Sequence, residues 1–185
     1  MKHVILHLCW TLAALVAGQA LHAQPRLTVG PALQIYPTGV IPSVFTHVHL
    51  DEHSAITVRL GYNMVDHGDA GVHDDEQGGG FGFTVGYQRR ITSRWFGEVR
   101  SDLWFNELDW EDRNGDIVVA AGTTQVTVVQ PTLKAGYRIP ASEGRIEIIP
   151  SLAAGIEINV HTDGAAVGQG AIVLLGLALG IPLGR

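Results

Sequence analysis

The chain has 185 residues, 12 basic against 18 acidic for a formal net charge of −6, with 23 glycines and one cysteine. Charged residues make up 16%, below the ~25% usual for a soluble domain, and no basic stripe offers itself to nucleic acid. With Cys9 as the sole cysteine, intramolecular disulfides and thiolate-cluster metal sites are excluded.

The first element is a basic start, Lys2 and His3, an apolar run from Val4 to Ala17 broken by His7 and Thr11, and small residues to Ala23. That layout predicts a secretory signal peptide over Met1 to Ala23, because the run is shorter than the ~20 residues of a spanning helix. Cleavage is expected after Ala23, with Ala20 as the alternative. Removal takes Cys9 and Lys2 with it, so the mature chain, residues 24–185, is cysteine-free and one charge more negative. About 160 residues suit a single domain.

Beyond Pro25 the hydrophobic period is two all the way to the C-terminus, and no 3.6 period emerges, which predicts an all-β architecture. Arg26 to Tyr36 sets Leu27, Val29, Leu33 and Ile35 against Thr28, Gly30, Ala32 and Gln34. Val40 to Leu50 alternates imperfectly, with His47 and His49 on one face. Ser54 to Val65 sets Ile56, Val58, Leu60 and Tyr62 against Thr57, Arg59, Gly61 and Asn63, and Gly80 to Arg90 sets Phe81, Phe83, Val85 and Tyr87 against Gly82, Thr84, Gly86 and Gln88. Trp95 to Phe105 offers Val99, Leu103 and Phe105 against Glu98, Arg100 and Asp102. Thr123 to Ile139 offers Leu133, Ala135 and Tyr137 against Gln130, Thr132, Lys134 and Gly136. Arg145 to Val160 sets Ile146, Ile148, Leu152 and Ile156 against Glu147, Ser151, Gly155 and Glu157, and Gly170 to Ile181 sets Val173, Leu175, Leu177 and Leu179 against Leu174, Gly176, Ala178 and Gly180. Each segment is long enough to cross a bilayer as a tilted strand, which takes ~9 to 11 residues. The predicted fold class is an eight-stranded antiparallel up-and-down transmembrane β-barrel.

Connections 51–53, 91–94 and 140–144 are tight, whereas 66–79 and 106–122 are long and polar. Short periplasmic turns and long outer loops are the outer-membrane pattern; connection 37–39 is a short exception. The same parity predicts two aromatic girdles, with Tyr36, Tyr62, Phe81, Trp104 and Phe105 at outer ends and Tyr87, Trp95 and Tyr137 at periplasmic ends. Arg59, Arg100 and Lys134 fall at similar depth on the minority face, with Glu98, Asp102 and Glu147 within a few residues. Charges buried together must be paired, because an isolated buried ion is costly. An interior just wide enough for side chains to fill then predicts a charge-paired, filled lumen.

These features resemble the small outer-membrane barrels of the OmpA and OmpX type. The resemblance covers Arg26 to Ile181 and rests on the signal peptide, the eight alternating strands, the girdles and the lumen set Arg59, Glu98, Arg100, Lys134 and Glu147. It implies a stability element, an adhesin or a host-interaction surface. One departure is the end of the last strand, where such barrels carry an aromatic used in assembly and this chain reads Ile181, Pro182, Leu183, Gly184, Arg185.

Metal candidates are His47, His49 and His53, which could form an open imidazole site, and two acidic stretches, Asp66 to Glu76 and Asp109 to Asp116, whose oxygens suit calcium. Neither is expected to bind: no metal site and no cofactor are predicted. A lipid-modifying enzyme would draw on Ser101, His67, His161 and Asp163, which form no recognisable catalytic spacing. The expected function is therefore a non-enzymatic, monomeric outer-membrane barrel with a structural or surface-interaction role. Its expected partners are outer-membrane lipid and an unknown surface ligand reached through loops 66–79 and 106–122. A lipid A deacylase or acyltransferase, or a narrow ion-conducting barrel, is the alternative.

Overall fold

The computed structural model describes residues 26–68 and 72–184. The expected signal peptide lies outside those residues. The strands are β1 (Leu27–Tyr36), β2 (Gly39–His49), β3 (Ser54–Gly68), β4 (Asp75–Arg90), β5 (Trp95–Asn114), β6 (Ile117–Tyr137), β7 (Ile139–Ala141), β8 (Ile146–Asp163) and β9 (Gly170–Leu183). Successive strands pair antiparallel, β7 continues β6 after Arg138 so that both pair with β8, and β9 returns to β1. The result is a closed barrel of eight staves, and closure removes every edge on which unpaired backbone would lie.

A closed barrel has no edge strand to accommodate prolines, so one in the middle of a stave opens a ladder on one side. The β1–β9 ladder skips Gly30 and Pro31, the β2–β3 ladder skips Ile41 and Pro42, and the β6–β8 ladder skips Gln130 and Pro131.

Alternation turns the large aliphatic and aromatic side chains outward. Leu60 is 60% exposed, Phe81 74%, Leu133 66% and Leu175 56%. Polar and charged groups turn inward: Thr84, Asp102, Gln130, Glu98 and Arg59 are all buried. Apolar groups fill the rest of the interior in two clusters, one around Ile41, Trp104, Val128 and Leu174, the other Phe45, Phe96 and Ile149.

Three expectations need correction. First, 106–122 is not a loop: β5 and β6 run on as a ladder to Asn114 and Ile117 and meet in a two-residue turn. There Gly115, at φ 61, supplies the left-handed corner that such hairpin turns require. The nine residues beyond Phe105 extend β5 by about 30 Å at ~3.4 Å per residue. Second, 66–79 is mostly strand, since β3 reaches Gly68 and β4 begins at Asp75. Third, Tyr36 and Trp104 are not girdle residues. Trp104 is 1% exposed inside the barrel, where its Nε1 donates to Gln130 Oε1 at 2.9 Å, and Tyr36 donates to the buried Asn63 Oδ1 at 2.6 Å. A barrel interior needs filling as well as charge, so a large ring with one polar atom fits there.

The remaining aromatics stand outward in two bands. Tyr62 packs edge-on against Phe81 with centroids 4.8 Å apart, and Phe105 pairs with Phe81 in register near the hairpin end. At the short-turn end Trp95 and Tyr137 lie edge to face at 5.0 Å.

Candidate functional site

The interior charges fall in three tiers set by strand register. In the middle tier Arg59 on β3, Thr84 on β4 and Asp102 on β5 are consecutive cross-strand neighbours. Arg59 Nη2 meets Asp102 Oδ1 at 2.6 Å and Arg59 Nε donates to Thr84 Oγ1 at 2.9 Å, while Thr84 in turn donates to Asp102. Arg100 adds an ion pair to Asp102 Oδ2 at 3.4 Å and donates to Thr132 Oγ1 at 2.9 Å. Gln34 Oε1 accepts from both arginines, bridging β1 to β3 and β5. One carboxylate thus faces two guanidiniums, and the residual donors are absorbed by neutral oxygens, as a buried ion cluster requires.

One tier nearer the short turns, Lys134 Nζ meets Glu98 Oε2 at 3.0 Å across β5–β6. Below it Arg138 Nη1 lies 3.5 Å from Glu147 Oε2 and Nη2 donates to Gln88. The six residues singled out from sequence therefore all turn inward, but in three separate groups: Arg59 and Arg100 on Asp102, Lys134 on Glu98, and Glu147 on Arg138. Glu147 belongs to Arg138, a residue the sequence reading passed over, rather than to the arginines of the middle tier. Arg138 continues the phase of Lys134 and Gly136 on β6, and that spacing was the available signal. Gln34, Thr84 and Thr132 were likewise not assigned this role. Their inward phase was visible, but neutral oxygens gave no cue of whom they serve.

Beside this cluster Gln34, His47, Thr57, Arg59, Arg100 and Lys134 border a void of about 30 Å³, room for no more than about two waters. Wider spaces open at the ends. About 510 Å³ lies at the short-turn mouth by Arg26, His49, Arg90 and Arg138, and about 300 Å³ at the hairpin-end mouth.

The hairpin end is tied together rather than splayed. His73 stacks on Trp110 with centroids 4.0 Å apart, its Nδ1 lies 3.0 Å from Asp112 Oδ1 and its Nε2 3.0 Å from Ala166 O. Glu76 accepts backbone N–H groups from Val72, His73 and Gly168. Val167, at the centre of the β8–β9 connection, is buried in the mouth.

The other candidate sets are not assembled. His47 and His49 face inward, His49 near Thr28 Oγ1 at 2.9 Å, whereas the backbone N–H of His53 belongs to the exposed turn around Asp51. The acids of the hairpin are taken singly: Asp109 accepts from Thr123, Glu111 meets Arg113 and Asp112 meets His73. Among the described residues no group of three or more His, Cys, Asp or Glu is placed to hold a metal ion. Ser101 faces outward on β5 opposite Pro131, while His161 sits opposite Thr127 and Asp163 opposite Gln125 on β8, nearer the tip and two staves round from β5. The side chain of His67 lies outside the described part.

In the β2–β3 turn, the Asp51 carboxylate accepts the N–H of His53 at 2.6 Å and of Ser54 at 2.8 Å. Those bonds, the one from His53 foremost, hold its carboxyl below the usual aspartate range.

A closed, eight-stranded antiparallel barrel with an apolar outside and a charged inside has the fold of the small outer-membrane barrels. Among solved structures, a major outer membrane protein from Thermus thermophilus superposes with a TM-score of 0.56 at 13% identity, over 87% of this chain and 100% of that one. Ail, the attachment invasion locus protein of Yersinia pestis, superposes with a TM-score of 0.51 at 8% identity, over 87% and 100%. At such identities the likeness is one of fold. No protein-family model and no curated protein matches the chain.

Proposed function

We propose that the chain is an integral outer-membrane barrel without enzymatic activity, whose interior is filled by paired charges and whose extended hairpins serve a structural or surface-contact role. The observation that carries this reading is the height of the apolar belt. Trp95 and Phe105 stand ten residues apart on β5, ~34 Å along the strand at 3.4 Å per residue, which a tilt of about 40° reduces to the ~25 Å of an outer-membrane belt. Outward Leu60, Val85, Val99, Leu133 and Leu175 lie within it. In water such a surface would be an aggregation liability; in hydrocarbon it is the favourable side. The signal-peptide pattern in the sequence supports export, and a void of about 30 Å³ beside the middle charge tier supports a filled barrel over a conducting one.

Surface contact would be made by the β5–β6 hairpin, whose tip exposes Ile117, Val118 and Val119 beyond the belt. Replacing residues 111–121 by an Asn-Gly turn tests this. The shortened protein is expected to fold, and cells displaying it to lose autoaggregation or adherence that the full chain confers. Retention of all such contacts by a folded, shortened barrel would argue against the hairpin's role.

A further inference from the structure

The cavity of about 300 Å³ at the hairpin-end mouth has a mixed lining. It carries the carboxylates of Glu76 and Glu157 and the amides of Asn106 and Asn159, from β4, β5 and β8, and among the described residues that line it none is Lys, Arg or His. Glu76 is committed to the backbone of Val72, His73 and Gly168. Glu157 is half-buried, and no ion pair among the described residues includes it.

The two amides add acceptors. Asn159 Nδ2 donates to Val167 O at 3.2 Å and Gly168 O at 3.3 Å, which fixes the orientation of the amide and leaves its buried Oδ1 without a partner. Asn106 is 6% exposed and its Oδ1 also has none. Buried acceptors are normally satisfied, and two unmet ones in a cavity that also holds a carboxylate and no cation suit a donor that carries positive charge. The same cavity is also lined by apolar Leu108, Val126, Val128 and Ile172, of which Val126 and Val128 are the cross-strand neighbours of Asn106 and Asn159.

We propose that this vestibule binds a primary alkylammonium group. An –NH3+ head has three donors and no acceptor, matching Glu157, Asn106 Oδ1 and Asn159 Oδ1, and a short alkyl body covers the apolar side chains between them. A bare divalent ion fits less well. It takes six or more oxygens as calcium, and it would leave those apolar side chains uncovered.

The test is titration of the folded barrel in nonionic detergent with n-butylammonium chloride, following the side-chain amide resonances of Asn106 and Asn159. Parallel titrations with n-butanol and with calcium chloride separate the alkyl body from the charge. Saturable shifts with butylammonium alone are expected, and Glu157→Gln should weaken binding about tenfold or more. Folding of each variant is verified by heat-modifiable gel migration. Should Glu157→Gln fail to fold, Asn106→Ala, read on Asn159, carries the comparison with the same expected loss. Absence of saturation with butylammonium, saturation of the same resonances by calcium or butanol, or a folded Glu157→Gln variant that binds as tightly as the parent would overturn the proposal.

Discussion

Phe96 lies over Gly136, its direct partner across the β5–β6 ladder, so closely that a Cβ at Gly136 would stand 2.2 Å from Phe96 Cζ. The glycine is flanked in the same inward phase by Lys134 on β6 and by Arg138 just beyond its end, whose cationic ends each lie 5.5 Å from the ring centroid. Gly82 seats Trp104 in the same way, with Cε3 2.2 Å from the position of an added Cβ. Glycine opposite an aromatic is thus how this barrel fits large rings inside a narrow lumen.

The Phe96 and Gly136 pair makes a double-mutant cycle informative. Gly136→Ala should cost about 1–3 kcal/mol by overpacking, and Phe96→Ala about 3–5 kcal/mol by leaving a cavity. In the double variant the alanine methyl occupies space the ring has vacated, so the two costs should fall short of their sum. Urea unfolding in detergent measures all four proteins, and strict additivity would contradict the close approach.

Asp102 is ion-paired with both Arg59 and Arg100. Neutralising it removes the direct ion pair of two buried guanidiniums, so Asp102→Asn should destabilise the barrel by about 3–5 kcal/mol. A shift below about 1 kcal/mol in the same unfolding assay would mean that water or other groups already screen the arginines.

The Asp51 turn gives a pH dependence. Its folded-state carboxyl is held below the ordinary value of 3.8, so its contribution is fully present above that value and is lost as pH falls through the lower folded one. The unfolding midpoint of Asp51→Ala should lie below that of the parent at pH 6, and the two should converge as pH drops below 3.8. A gap that stays constant on acidification would remove the carboxylate from the explanation.

His73 joins Trp110, Asp112 and Ala166. Its replacement by alanine gives up a stacked pair and its polar contacts, together worth roughly 1–2 kcal/mol. Opening of the β5–β6 hairpin should rise about tenfold, and proteolysis near residues 107–122 should quicken accordingly. Unchanged cleavage would show that the hairpin stands on its own ladder.

How far the sequence carried is clearest on β5. From Val99 to Phe105 the alternation of apolar and charged residues follows the belt, because an apolar outer face and a charged lumen impose period two. Beyond Phe105 the outward positions are Glu107, Asp109 and Glu111. The strand continues there, but its outer face is polar and the hydrophobic period vanishes, so the pattern of 106–122 is that of a loop. Inside, Trp104 and Tyr36 were misplaced because aromatics near strand ends suit a girdle equally well, and only their phase with Asp102 and Gln34 distinguishes the lumen. Pairing was out of reach for a related reason. Arg138 and Glu147 meet through strand register, which is set by hydrogen-bond ladders that composition does not reveal.

The central claim is that the apolar belt faces lipid, and membrane extraction with a folding readout tests it most directly. Expressed cells are fractionated, the outer membranes are washed with alkaline carbonate, and the retained protein is run on a denaturing gel with and without boiling. We expect the protein to stay in the washed membranes and to migrate differently when unboiled. Release into the wash, with identical migration before and after boiling, would contradict the account.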